Sequence, residues 1–322
     1  MKEKENNKKP PNGGFFFTNI IIWYIINKKG SEKMQKIKNS RALSFIIVAF
    51  VYIFATIGAL LIYPVLPLPW WASLLIVDII ATIFVFLFSL IFENASVYDP
   101  YWSVQPIVIV LAYAVGKPLT VLRALLIVAV LFWGTRLTAN WAYTFGNLTH
   151  QDWRYTMLKE KTGKFYPIIN FLGIHLVPTL VVYLCCIPIG YAFTNDLKTN
   201  TWSIIFIAIS FLAVILQGTA DIQMHRYRRN RNTPFIRVGL WKWSRHPNYL
   251  GEILMWWGIA FSVFMSDSRP WLVLIGALAN TCLFMFVSIP MADKRQSRKE
   301  GFLEYKAETN RLLPLPKPAM RK

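Results

Sequence analysis

Gly239-Leu240-Trp241-Lys242-Trp243-Ser244-Arg245-His246-Pro247-Asn248-Tyr249-Leu250-Gly251-Glu252 lies between a cluster of arginines and an apolar run. A cationic, hydrogen-bond-rich segment therefore meets the start of a membrane helix, and a cofactor is expected at that junction. Outward from it, apolar residues fall in blocks of about the ~20 residues that a bilayer-spanning helix needs. The chain has 322 residues, 55% of them hydrophobic and 16% aromatic. This composition predicts an all-α, multi-pass integral membrane protein with its cofactor site between the carboxy-terminal helices.

Spans are expected at about Ala42 to Tyr63, Trp71 to Phe92, Val104 to Val115, Leu119 to Tyr143, Ile168 to Phe193, Trp202 to Met224, Tyr249 to Met265 and Trp271 to Pro290. That makes eight, or seven if the short third one is re-entrant. The formal net charge of +19 raises nucleic acid as a partner, but the distribution of charge argues against it. Lys and Arg number ten in 1–41, four in 144–166, seven in 225–248 and nine in 292–322, whereas Lys117, Lys198 and Arg269 are the clear cations of the opposite loops. Positive charge on alternate loops is the signature of membrane topology, here eight spans with both termini cytoplasmic. Seven spans would break the alternation.

Residues 1–41 read as a basic, disordered leader whose apolar patch, Phe15 to Ile26, is too short to span comfortably, and 42–322 as one transmembrane domain with 217–316 as its cofactor-binding part. Cys185, Cys186 and Cys282 lie in apolar runs and read as small buried hydrophobes. The sequons at Asn94 and Asn147 face the cytoplasm on this topology and are expected to stay unmodified.

Gln217, Asp221 and Arg228 are spaced by four and seven, which puts them along one helical face. His225, Arg226, Arg228, Arg229, Arg231, Arg237, Lys242, Arg245 and His246 follow with no acid between Asp221 and Glu252. Such a density suits a polyphosphate, and it also suits positive-inside charge beside anionic headgroups. Asn248 and Glu252 share a face of the helix that Pro247 begins, one able to donate to an amide-like group and the other to accept from it. Glu252 in a first turn also favours the helix dipole. Among intramembrane polar groups, Asp78, Asp99, Tyr101, Arg136 and Asn140 are candidates for chemistry. Their structural readings are a turn at Asp99-Pro100 and a helix-to-helix pair between Arg136 and Asp78. His175 and Asn280 read as interhelical hydrogen bonds. His150-Gln151-Asp152 has no second His at ligand spacing, and no metal is expected.

Gly239-Leu240-Trp241 and Ser244 to Glu252 resemble the cofactor segment of the steroid 5-alpha-reductase and sterol-reductase superfamily. The Gln217, Asp221, Arg228 series is similar to its upstream cofactor residues, with Gln217 departing from the usual Asn. Phe302-Leu303-Glu304-Tyr305 and Leu313-Pro314 resemble its carboxy-terminal signature. Ser96-Val97-Tyr98-Asp99-Pro100-Tyr101-Trp102, Trp133-Gly134-Thr135-Arg136-Leu137 and Asp152-Trp153-Arg154-Tyr155 resemble the DUF1295 branch.

The resemblance implies an NADPH-dependent reductase of a carbon–carbon double bond in a steroid, sterol or other lipid, embedded among membrane lipids. Gln217, Asp221, Arg228, Arg237, Trp243 and Arg245 would hold the cofactor together with His246, Asn248, Tyr249, Glu252 and Tyr305. The superfamily's donor pair is a Glu and a Tyr from amino-terminal helices, for which Asp99, Tyr101 and Arg136 are the catalytic candidates here. No Gly-x-Gly-x-x-Gly turn is present, which excludes a Rossmann site. The Arg-His-Pro-x-Tyr-x-Gly core is also similar to membrane methyltransferases that use S-adenosylmethionine, the principal alternative; a lipid-binding or channel-like protein without chemistry is a third. The membrane would be that of the endoplasmic reticulum in a eukaryote or the inner membrane in a bacterium.

Overall fold

Polar caps or prolines mark the starts of most of the long helices. The computed structural model describes residues 32–267 and 270–315; the expected leader patch Phe15 to Ile26 and Arg269 lie outside them. A short helix, α1 (Glu32–Asn39), precedes α2 (Arg41–Ile62), where the Ser40 side chain accepts from the Leu43 amide. Pro69 and Pro100 stand before α3 (Trp70–Ile91) and α4 (Tyr101–Ala114). Thr120 caps α5 (Val121–Thr144) and Asp152 caps α6 (Trp153–Thr162). A π-helical stretch, Asn170–Leu176, leads into α7 (Val177–Thr194). A capping box between Asn200 and Ser203 opens α8 (Thr201–Arg229). Pro247 takes the first position of α9 (Pro247–Phe264), where its missing donor costs nothing. Then come α10 (Ile275–Leu283), α11 (Ile289–Gln296) and α12 (Phe302–Glu308). Beyond helices, the described residues hold one isolated bridge, Ser244 to Asn310.

Six helical runs are long and apolar enough to cross a membrane: Arg41–Val65, Trp70–Ile91, Val121–Thr144, Trp153–Thr194, Thr201–Arg229 and Trp271–Gln296. The third and seventh expected spans are the helices α4 and α9, of 14 and 18 residues, and fall outside those six. Contacts sort the connections into two ends. At one end Lys38 donates to Phe92 O, Asn94 to Leu148 O and His150 O, and His225 meets Asn140. At the other, Arg123 donates to Ala192 O and Asn195 O, and Asn200 to Met265 O. Both α4 and α9 run from the first end to the second. Asn94 is buried, while Asn147 is half-buried. Large apolar side chains on the outer faces, such as Leu61 at 70% and Phe286 at 75% exposure, suit an environment of lipid tails. Cys185 and Cys186 are buried, but Cys282, expected inside, is exposed on α10.

The main core gathers around Trp133, Trp256, Met255, Ile259 and Cys186, at the meeting of α5, α7, α8 and α9. Helices α8 and α9 approach most closely. A Cβ at Gly251 would lie 2.6 Å from Ala213 O, and one at Gly258 would lie 2.6 Å from Phe206 O. Without side chains there, backbones come within dispersion range, which is how helices associate where water provides no drive. Gly251→Val is therefore expected to destabilise the protein by about 1–3 kcal/mol. Gly58→Ala, with nothing within 4 Å of the new carbon, should be neutral or slightly stabilising. Melting temperatures in detergent check both, and an unchanged value for Gly251→Val would contradict the close approach.

Candidate active site

Glu252 sits one turn into α9 and is 1% exposed. Its carboxylate accepts from three N–H groups: Trp133 Nε1 of α5 at 2.8 Å, Gln217 Nε2 of α8 at 2.5 Å and Trp256 Nε1 at 2.9 Å. A carboxylate this deep persists only when hydrogen-bonded on several sides, so three helices are tied at one point. Asn248, one turn earlier, points its Oδ1 into a buried position with no partner among the described residues. Gln217 Oε1 is likewise unpaired.

These residues line a cavity of about 470 Å³ that also borders Asp221, Tyr249, Asn140, Asp152, Arg154, Tyr155, Asp99 and Tyr98. Its volume falls in the range of small-molecule sites. Arg136 Nη1 donates to Asp221 Oδ2 at 2.7 Å, while Arg136 Nε and Nη2 are buried without partners among the described residues. The expected structural pairing of Arg136 with Asp78 does not occur, because the arginine leaves α5 toward α8. Acceptors at Asn248 and Gln217 are thus unspent on one space, and unmet buried acceptors suit a ligand that carries donors, while Arg136 stands behind the wall on Asp221.

A second polar group faces the cavity from the other side. The Tyr155 hydroxyl donates to Asp99 Oδ1 at 2.6 Å, and Asp152 holds the Arg154 guanidinium at 2.8 Å. Burial pushes the Asp99 carboxyl up to about 6, against the opposing pull of Arg154. The turn expected at Asp99-Pro100 is real as well, with the Asp99 amide bonded to Ser96 O. Tyr155 was not among the expected site residues, although its Asp-Trp-Arg-Tyr stretch carried part of the family resemblance.

Several expected site residues lie elsewhere. Tyr101 turns away and donates to Asp78 Oδ1 at 3.0 Å in a separate, smaller cavity. Arg245 and His246 are buried on Asp293, at 3.0 and 2.9 Å. Arg245 also donates to the Lys306 and Thr309 carbonyls. A five-donor fork is as well suited to carbonyls and a carboxylate as to phosphate, and here it clamps the tail onto the helix junction. His246 stacks on Tyr249, with ring centroids 5.2 Å apart, and so supports the cavity wall without lining it. Tyr305 donates to Trp241 O and belongs to the same clamp. Trp243 is 47% exposed, and Arg237 meets Glu308 at 3.5 Å on the surface.

Arg228, on the exposed last turn of α8, belongs to a group of cations with Arg231, Arg295 and Lys299. Burial first, and then Arg231, Arg295 and Arg228, hold the Lys299 amine below the usual lysine range. Arg295 packs over the ring of Trp153, which lines the cavity, at 4.3 Å, so this cationic group stands at the rim. Arg295 and Lys299 come from beyond the arginine-rich stretch 225–246. Of the residues expected to be helix-to-helix bonds, His175 Nδ1 meets Asn170 O within its own helical run at 3.0 Å, and Asn280 Nδ2 has no partner among the described residues.

Residues 85–309 match the family described as "Protein of unknown function (DUF1295)". An uncharacterized protein of Schizosaccharomyces pombe is 28% identical over 225 residues, covering 59% of this chain and 65% of that relative's length, slightly under two thirds. No solved structure gives a significant match. The family match takes in α4 to α12, the cavity and the clamp, and on that extent the chain belongs to the DUF1295 family.

Proposed function

We propose that the chain is a membrane-embedded reductase that uses NADPH to saturate a carbon–carbon double bond in a steroid, sterol or other lipid. The observation that carries this reading is the pairing, in one cavity, of unspent amide-binding atoms on Asn248 and Gln217 with the carboxyl–phenol pair Asp99 and Tyr155. When bound, NADPH supplies a hydride equivalent. Asn248 Oδ1 and Gln217 Oε1 would accept from its carboxamide. The rim cations Arg228, Arg231, Arg295 and Lys299 suit its phosphates, whose negative charge would relieve their mutual repulsion. Glu252 fixes Gln217 through its side-chain amide and so orients the acceptor.

Proton supply falls to Tyr155. While Asp99 is ionised it accepts the Tyr155 hydroxyl's hydrogen bond, with the two oxygens 2.6 Å apart. When Asp99 takes up a proton, the Tyr155 hydroxyl is released to donate to a substrate carbonyl, where negative charge develops. Two further elements belong to the same reading: α4 and α9 cross the membrane, giving eight spans, and the cationic end of the bundle, with both termini, faces the cytoplasm. S-adenosylmethionine has no phosphates to engage the rim cations, so the methyltransferase alternative leaves them unused.

In lipid nanodiscs with NADPH and a panel of enone-bearing steroids and lipids, the protein should yield a product two hydrogens heavier, with matching loss of cofactor absorbance. Tyr155→Phe is expected to lower turnover about 10²-fold with NADPH affinity unchanged, and Asn248→Ala to weaken NADPH binding about tenfold. Absence of both cofactor binding and reduction across the panel would overturn the reading. A separate prediction concerns Asp99. Its carboxyl titrates near 6 in the fold against an ordinary 3.8, so the folded chain holds a proton that the unfolded chain has released between those values. Its contribution to stability is then lost as pH rises from about 4 to about 6. The melting temperature of Asp99→Asn should rise relative to wild type over that window and level off above it; parallel curves would contradict the burial.

A further inference from the structure

The chain leaves the wall of the main cavity at Ala292 and returns to it through the side chain of Arg295, which lies over Trp153 of α6. The stretch that carries Arg295 is fixed at both ends. At one, Asp293 is held by Arg245 and His246, at 3.0 and 2.9 Å. At the other, Phe302 and Tyr305 pack on Phe235, each with ring centroids 5.2 Å away. Between these anchors, residues 294–301 carry Lys294, Arg295, Arg298 and Lys299 against one acid, Glu300. Their hydrogen bonds stay local: the Ser297 amide and hydroxyl donate to Asp293 O, Lys299 N to Gln296 O and Phe302 N to Lys299 O. Gly301 closes the stretch at φ 70°, a left-handed conformation that suits glycine. A cationic flap is thus tied down at its ends and not along its length.

Arg295 is what holds the flap across the rim. Its guanidinium stands 4.3 Å from the Trp153 ring centroid, the closest contact of its kind among the described residues. Among those residues it is also the flap's one hydrogen bond, ion pair or ring contact with an element other than its anchors. Trp153 offers a firm base, because just before it Asp152 N donates to Ser96 Oγ at 3.0 Å and Gln151 Oε1 accepts from the Ala95 amide at 2.8 Å. Laid down in this way, the flap brings Arg295 and Lys299 beside Arg228 and Arg231, and the like charges oppose the arrangement. A cation–π contact at an exposed site is itself weak. The position of the flap therefore responds to whatever neutralises those cations.

We propose that residues 294–301 form a lid on the cavity, latched by Arg295 on Trp153 and drawn shut by a phosphate-bearing ligand. Linked phosphates set among Arg228, Arg231 and Lys299 remove the repulsion that opposes closure, and by linkage the closed lid holds that anion more tightly. Closure covers the rim between Ala292 and Trp153 and keeps water from the space beneath. Trp153 is a positioning residue on this account, acting through Arg295. That the anion belongs to the cofactor rests on the reductase reading; the lid and its latch do not.

The test is the distance between spin labels on the lid and on α6, at Glu300→Cys and Glu160→Cys with Cys282→Ser, both labelled positions being exposed and the other two cysteines buried. The full chain is held in phosphatidylcholine nanodiscs, with inorganic pyrophosphate as the probe. A short and a long population are expected, and pyrophosphate should convert the long one into the short. Trp153→Leu, which keeps apolar bulk in the wall, should raise the long-to-short ratio about two- to fivefold, and Trp153→Phe should restore part of the loss. Lys299→Gln should act in the opposite sense, favouring the short distance without pyrophosphate. Wild-type distances in Trp153→Leu would overturn the latch. Indifference to both pyrophosphate and Lys299→Gln would overturn closure by an anion, even if Trp153→Leu failed to fold. Closure in phosphatidylglycerol nanodiscs alone, with no response to pyrophosphate in either lipid, would assign the phosphates to the membrane surface and overturn a free ligand. Closure by pyrophosphate but not by NADPH would uphold the lid and remove the cofactor of the reductase reading.

Discussion

The carboxylate of Glu252 is the constraint on which the rest of the structure depends. At 1% exposure it must be satisfied internally, and it takes one N–H from each of Trp133, Gln217 and Trp256. Those donors belong to α5, α8 and α9, so satisfying one acid fixes the relative rotation of three helices. Gly251, next to it, allows the approach that puts Gln217 within 2.5 Å. Once Gln217 has given its amide hydrogen to Glu252, its oxygen faces the cavity unpaired, beside that of Asn248. The same bond that closes the helix junction thus turns the Gln217 oxygen to the cavity wall, so removal of the acid would disturb the junction and the wall together.

Arginine does two different jobs a few residues apart. Arg245 is consumed internally, by Asp293 and by two carbonyls of the tail. Arg228 stays at the rim with Arg231, Arg295 and Lys299. The first brings α12 and the helix junction together; the second belongs to a cationic group beside Trp153, a residue of the cavity wall. A buried ion pair is weak evidence of net stabilisation, and here its consequence is positional: without the clamp, Asp293 and His246 would not hold Tyr249 in the cavity wall.

Much of this was legible from residue patterning. Hydropathy and proline punctuation placed every long helix to within a few residues at most ends, because lipid demands long apolar stretches and helix starts need caps. The exceptions are instructive. Helix α8 continues to Arg229, five residues past its expected end at Met224, since polar side chains do not stop a helix that has left the apolar layer. The intervals of four between Gln217 and Asp221, and between Asn248 and Glu252, correctly put each pair on one face toward the cavity. Pairing across distant segments was not legible. Nothing local tells Arg136 to choose Asp221 over Asp78, or Tyr155 to find Asp99 across 56 residues; those choices follow from which helices pack together. Arginine density likewise could not separate Arg245, buried on Asp293, from Arg228, exposed at the end of α8.

The most direct test is the thermal stability of the detergent-purified protein with NADPH, NADH, S-adenosylmethionine or no addition, in wild type and in Arg228→Ala combined with Lys299→Ala. NADPH at about a hundred times its dissociation constant should stabilise wild type by about 2.7 kcal/mol. NADH should do less, and the double variant should lose the preference for the phosphorylated cofactor while keeping its own melting temperature. Stabilisation by S-adenosylmethionine with no response to NADPH would contradict the reductase reading and move the chemistry to methyl transfer.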